Sequence, residues 1–217
     1  MTKPRLPIRA IIFDLDGTLA DTFPLIVSAW NAAISPHTGK TYSDAEVIAR
    51  FGIPDPAMIR REIAPELGDH AVEVYHQHYQ REHEIVKPFD GIAQMLEALH
   101  RRAVPLGLMT GKGRRSAKIT LQSLGWNDIF GAVVTGEDIE HQKPDPSGPL
   151  AASRMLNIPP AECAFVGDSP ADIGAGKAAG MLTVAAGWHP VYHEEIRRLQ
   201  PDVWANTPAD VVAIVPV

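Results

Sequence analysis

From about residue 88 onward, short apolar runs alternate with helical stretches, and few folds accept that pattern. "GIAQMLEALHRRA" (91–103) has helical periodicity and leads into "VPLGLMT" (104–110), an apolar run that ends in a small polar residue. "SAKITLQSLG" (116–125) reads as a helix stopped by Gly125, followed by the strand-like "AVVT" (132–135). The series continues with helical "SGPLAASRML" (147–156), strand "CAFVGD" (163–168), helical "PADIGAGKAAG" (170–180) and strand "MLTVAA" (181–186). A last, weaker strand is expected at "DVWA" (202–205). Strands this short and continuously apolar, each followed by a helix, form a parallel sheet covered on both faces. The earlier run "IIFDLDGTLAD" (11–21) supplies one more such strand.

The stretch between them breaks the alternation. "PLIVSAWNAAI" and "AVEVYHQHYQREHEIV" read as helices, and Pro54 and Pro56 punctuate a loop between helical pieces. No buried strand is expected there. The class is therefore α/β: a Rossmann-like parallel-sheet core of residues 1–20 and 88–217, with an all-helical domain of residues 21–87 inserted after the first strand. Pro88 marks the return to the core.

At 217 residues, 45% hydrophobic and 21% charged, the chain has the makeup of a globular protein with one full-sized core. Its 20 Lys+Arg against 26 Asp+Glu give a formal charge of −6, which argues against a nucleic-acid partner. Cys163 is the only cysteine, so no intrachain disulfide can form, and within "CAFVGD" it reads as a small buried strand residue. The first ten residues hold no apolar signal-type core and no run reaches membrane-spanning length, so a cytoplasmic location is expected.

Four strand ends carry polar residues that packing alone would not choose. The first ends in Asp14, Asp16, Gly17 and Thr18; "PLGLM" ends in Thr110, Gly111 and Lys112. The loop "EDIEHQKPDP" holds Lys143, and "AFVG" ends in Asp168, with Asp172 four residues later. Open parallel sheets bind ligands outside the carboxyl ends of their strands, so these groups are expected to converge. Three carboxylates around one point repel unless a divalent cation neutralises them. A hard ion that keeps several waters and is shared with substrate phosphate is the usual Mg²⁺ arrangement. A hydroxyl and an ammonium opposite them suit a phosphoryl group, and Gly17 and Gly111 let backbone N–H groups approach an anion.

"DLDGTLAD", "LMTGK", "KPDP" and "GDSPAD", in that order, resemble the four signature motifs of the haloacid-dehalogenase-like hydrolase superfamily. The likeness spans nearly the whole chain and is nearest to the phosphoglycolate phosphatase and pyrophosphatase-like branch, with the helical insert in the place of that superfamily's cap. The resemblance implies a Mg²⁺-dependent phosphatase acting on a small, phosphoglycolate-like phosphorylated metabolite through an aspartyl-phosphate. Asp14 would be the nucleophile and Asp16 the acid, then base; Thr110 and Lys143 would hold the phosphoryl oxygens, with Gly17, Thr18 and Gly111 beside them. Asp14, the main-chain carbonyl of Asp16, and Asp168 would bind Mg²⁺, with Asp172 supporting directly or from behind. Dehalogenases lack the second aspartate, so Asp16 favours phosphoryl chemistry. Two positions depart from the common pattern: Gly111 stands where asparagine is frequent, and Gln142 where glycine is frequent.

Other features read as structural. "TGKGRRS" does not fit phosphate-loop spacing, so Lys112, Arg114 and Arg115 are expected to be solvated. His76 and His78 point apart on a helix and His83 has no partner at helical spacing, which leaves no metal site there. Arg50, Arg60 and Arg61 of the insert are candidates for a substrate carboxylate or second phosphate, against the plainer reading of a solvated helix face. "GWHP" (187–190) is assigned no chemistry, and Asp21 is assigned to the hinge. Two alternatives share the core motifs: a phosphomutase acting on a sugar phosphate, and a receiver-like module that keeps its phospho-aspartate. The insert and Asp16 argue against the second.

Overall fold

The structure is a computed structural model describing residues 7–216. The expectation for the amino-terminal ten residues therefore falls, for residues 1–6, outside the described residues. In chain order the elements are β1 (Ala10–Phe13), β2 (Ala20–Asp21), α1 (Phe23–Thr38), α2 (Asp44–Ile48), α3 (Asp55–Glu62), α4 (Gly68–Arg81) and β3 (Lys87–Pro88). Then follow α5 (Ile92–Arg101), β4 (Leu106–Met109), α6 (Arg114–Ser123), β5 (Ala132–Val134), α7 (Ser147–Leu156) and β6 (Cys163–Gly167). The chain closes with α8 (Pro170–Ala178), β7 (Leu182–Ala186), α9 (His193–Arg198), β8 (Val203–Ala205) and α10 (Pro208–Val212).

Six strands form one parallel sheet in the order β5-β4-β1-β6-β7-β8. The chain builds outward from β1 to β4 and β5, then crosses back to place β6 on the other side of β1. That reversal makes the β1–β6 edge a topological switch point, where a crevice opens above the strand ends. Phe13 lies opposite Val166 there, and the Asp14 N–H donates to the Val166 carbonyl at 2.9 Å.

β1 is apolar at every position because both faces are covered. Ile11 and Phe13 join one cluster with Leu96 and Leu99 of α5 and Val211 of α10, while Ala10 and Ile12 join another with Ala152 of α7 and Ala175 of α8. β6 alternates in the same way, with Ala164 and Val166 on the first face and Cys163 and Phe165 on the second. Cys163 is fully buried, its Sγ 3.4 Å from the Pro159 carbonyl, and burial raises its thiol.

α1 to α4 pack around a separate apolar cluster that includes Trp30, Ile34, Ile59, Tyr75 and Tyr79. Residues leaving and re-entering the sheet layer meet in a two-residue antiparallel ribbon, Ala20 opposite Pro88 and Asp21 opposite Lys87. Asp21 sits in that crossing with its side chain exposed. The ribbon, α9 and α10 have no counterpart in the sequence reading, since two to six residues are too few to display a period. α10 is nonetheless held by a capping box between Thr207 and Asp210, a pattern visible in "TPAD". Among the described residues no helix is long and apolar enough to cross a membrane.

Candidate active site

β1 delivers Asp14 to the switch point, and the loop after β5 brings Lys143 to meet it. Lys143 Nζ donates to Asp14 Oδ1 at 2.8 Å and to Asp172 Oδ1 at 2.6 Å. Burial pushes the Asp14 carboxyl well above the usual carboxylate range; Lys143 opposes this, while Asp172, Asp168 and Asp16 add to it. Burial also pulls on the Lys143 ammonium, but Asp14 and Asp172 outweigh it and hold its pKa raised.

Asp168 follows β6 and lies beside Asp14. One carboxylate oxygen from each of Asp14, Asp168 and Asp172 lies within 4.8 Å of the others, and all three residues are buried. Burial raises the Asp168 carboxyl, against the pull of His189 and Thr18. Three buried oxygen donors with a single lysine among them suit a hard divalent cation, so the donor set fits Mg²⁺. Asp168 does not cap α8; Ser169 does, in a box with Asp172, whose Oδ2 accepts from the Ser169 N–H at 3.0 Å. Both oxygens of Asp172 are thus engaged, one by Lys143 and one by Ser169.

Gly17 and Thr18 stand behind Asp168 rather than on the cavity wall. Thr18 Oγ1 donates to Asp168 Oδ1 at 2.7 Å. Gly17 has φ +82° and a Cβ there would lie 2.2 Å from Asp168 Oδ2, so both the backbone and the close approach require glycine. "GWHP", assigned no chemistry from sequence, supports the same carboxylate. His189 Nδ1 lies 3.0 Å from Asp168 Oδ2, and Trp188 Nε1 donates to the Thr18 carbonyl at 2.9 Å. Nothing local in a Trp-His pair signals this, because the partners are about 20 and 170 residues away.

Asp16 accepts a hydrogen bond from Thr22 Oγ1, and Lys112 Nζ stands 3.2 Å from Asp16 Oδ1. This corrects the sequence reading of Lys112 as solvated: it is buried, with its ammonium 4.8 Å from the Tyr79 ring centroid. Burial alone would lower its pKa, but Asp16, with Tyr79, Tyr75 and Asp55, holds it well above the ordinary value. Arg114 and Arg115 are exposed as expected, paired with Asp138 and Glu73. Thr110 is buried on the cavity wall and its hydroxyl accepts from the Lys112 N–H at 3.2 Å.

A fourth buried carboxylate ties the insert to the strand-end loops. Asp55, at the start of α3, accepts from the Gly113 N–H at 2.7 Å and from Ser116 Oγ at 2.9 Å. His76 Nε2 lies 3.1 Å from its Oδ2, and His83 Nε2 lies 3.0 Å from Thr120 Oγ1. Burial raises the Asp55 carboxyl, but His76, Lys112 and the Gly113 N–H overcome it and leave it below the usual range.

Asp14, Asp16, Thr110, Gly111, Lys143 and Asp168 line one cavity of about 350 Å³. None of the insert arginines lines it. Arg50 pairs with Glu62 and lies over the Trp30 and Tyr42 rings, while Arg60 pairs with Asp69; Arg61 is exposed.

A parallel sheet with carboxylates and a lysine gathered at its switch point is an α/β architecture whose site is chemically suited to a phosphoryl group. The sequence pattern of the haloacid dehalogenase-like hydrolases matches residues 11–186, and the chain belongs to that family. It is 31% identical over 211 residues to pyrophosphatase PpaX of Anoxybacillus flavithermus, covering 97% of this chain and 98% of that protein. It is 29% identical to the phosphoglycolate phosphatase of Xylella fastidiosa, covering 92% and 95% of the two chains. The fold matches that of CbbY from Rhodobacter sphaeroides, solved with xylulose-(1,5)bisphosphate, at a TM-score of 0.83 and 21% identity, covering 97% of this chain and all of that one. Family and relatives together make this chain a phosphatase.

Proposed function

We propose that this phosphatase is a Mg²⁺-dependent phosphomonoesterase that works on a small phosphorylated metabolite through an aspartyl-phosphate on Asp14. The observation that carries the reading is the convergence of Asp14, Lys143, Asp168 and Asp172 at the β1–β6 switch point. An Asp14 oxygen attacks phosphorus and the bond from phosphorus to the ester oxygen breaks. Asp16 gives its proton to that departing oxygen, which leaves as the alcohol. A water then attacks the phosphorus of the intermediate, Asp16 takes the water's proton, and the bond to Asp14 breaks to release phosphate. Thr110 and Lys143 bind the phosphoryl oxygens throughout.

Asp14, Asp168 and the main-chain carbonyl of Asp16 would hold Mg²⁺, with Asp172 acting on Lys143 from behind. Bound there, the ion supplies positive charge against the phosphoryl oxygens. Residues 21–87 serve as a helical cap over a core of residues 1–20 and 88–217, excluding bulk water when seated. Asp55, joined to Gly113 and Ser116, helps seat it, together with the His83–Thr120 and Glu73–Arg115 contacts.

The test is phosphate release from a panel of phosphorylated metabolites, with and without Mg²⁺. Excess chelator is expected to abolish release and added Mg²⁺ to restore it; full activity in chelator would contradict the metal assignment. Isomerised sugar phosphate without stoichiometric phosphate would replace the phosphatase by the mutase. His189→Ala is expected to raise the Mg²⁺ concentration needed for half-maximal rate by about 10- to 100-fold, since partners behind a metal ligand orient it. An unchanged Mg²⁺ requirement would remove His189 from that role.

A further inference from the structure

The cavity has two unlike walls. The strand-end side is polar, while the insert side presents Phe23, Ile26, Ile48, Phe51, Ile53 and Met58. We infer that the substrate carries a single phosphate on an uncharged, apolar alcohol, alkyl or aryl, whose body lies against this insert wall. The inference rests on the phosphatase reading of the same site and names its substrate class.

Charge placement argues for it as strongly as the apolar side chains do. Among the described residues, Lys112 and Lys143 are the cationic side chains lining the cavity. Each already serves a carboxylate: Lys143 holds Asp14 and Asp172, and Lys112 stands beside Asp16. The insert's own charged contribution to the wall is Asp55, an anion whose oxygens are engaged by Gly113, Ser116 and His76. A second anionic group on the leaving side would thus meet hydrocarbon, the Tyr75 hydroxyl and a carboxylate, with no unengaged cation to pair with. An ion out of water without a partner is strongly disfavoured. Of the three insert arginines that could have reversed this, Arg50 and Arg60 are turned to Glu62 and Asp69, and Arg61 is exposed away from the cavity lining.

Apolar alcohols gain where anions lose. Burying a methylene against such a wall is expected to raise kcat/KM about threefold to fourfold per added carbon, until the cavity is filled. Its volume of about 350 Å³ lies at the small end for ligand sites and accommodates a short alkyl chain or one ring beside the phosphoryl group. Pyrophosphate and phosphoglycolate each present an anion on the leaving side, and both are expected to be poor substrates.

The experiment measures phosphate release by the intact chain with Mg²⁺ from ethyl, propyl, butyl and phenyl phosphate, phosphoglycolate and pyrophosphate. The expected result is kcat/KM rising along the alkyl series, with butyl and phenyl phosphate at least about tenfold above both anionic compounds. Phosphoglycolate or pyrophosphate as the best substrate would overturn the inference and leave the phosphatase standing. Release from none of the compounds, nor from the wider metabolite panel, would overturn both. Phe51 is half-buried, so Phe51→Arg should fold and is expected to shift the phosphoglycolate-to-butyl-phosphate ratio at least about tenfold toward the anion. An unchanged ratio in a folded Phe51→Arg variant would also count against the wall as the site of selection. Phe51→Ala is expected to flatten the alkyl series by lowering kcat/KM for butyl phosphate, without the rise in kcat/KM for phosphoglycolate that Phe51→Arg brings.

Discussion

Asp14→Asn abolishes phosphate release, with an expected loss on the order of 10⁴-fold or more, while the protein remains folded. An amide has the shape of the carboxylate but no charge to attack phosphorus. Its effect on folding is small for a specific reason. Asp14 is buried beside two other aspartates, and burial already works against its ionised form. Removing that charge relieves repulsion within the cluster, and Lys143 keeps its 2.6 Å bond to Asp172. The measurement is single-turnover phosphate release alongside thermal unfolding. A rate within tenfold of the parent, with an unchanged melting transition, would show that Asp14 is not the nucleophile.

Asp16→Asn comes next, with an expected fall of about 10²- to 10⁴-fold in kcat, the usual contribution of a placed acid. Its signature is dependence on the leaving group. An alcohol of high pKa needs the proton as its bond to phosphorus breaks, whereas an activated phenol of low pKa does not. The loss should therefore be large for butyl phosphate and small for a nitrophenyl phosphate. Equal losses on both would mean Asp16 acts in some other way. Lys112→Met serves as a companion variant, because Asp16 then keeps the Thr22 hydrogen bond but loses the ammonium 3.2 Å away. The companion is expected to lower kcat more than the affinity for phosphate, since Lys112 stands beside the acid and Lys143 beside the nucleophile.

Much of this was legible in the chain, and for definable reasons. β1, β4 and β6 are continuous apolar runs because each is covered on both faces, and β7 is too apart from the buried Thr183, so burial itself wrote them into the sequence. Asp14, Asp168 and Thr110 were readable as strand-end polar groups, a position where packing has no use for them. Lys112 misled because its neighbours, glycine and two arginines, have the composition of a solvated turn. What buries it is α4, whose Tyr79 and Tyr75 come from more than 30 residues earlier. His189 was invisible on the same ground, since its carboxylate partner belongs to another strand end.

By itself, then, the sequence determined the alternating sheet, the order of its strand-end motifs and the groups available for chemistry, because these depend on local period and residue type. Only the tertiary structure decided how those groups pair. It put Lys143 between Asp14 and Asp172 and Lys112 against Asp16, and it turned the insert arginines away from the cavity toward their own glutamate and aspartate. Charge pairing depends on distance in space, and helices that cross the sheet ends bring together residues whose separation along the chain carries no sign of it.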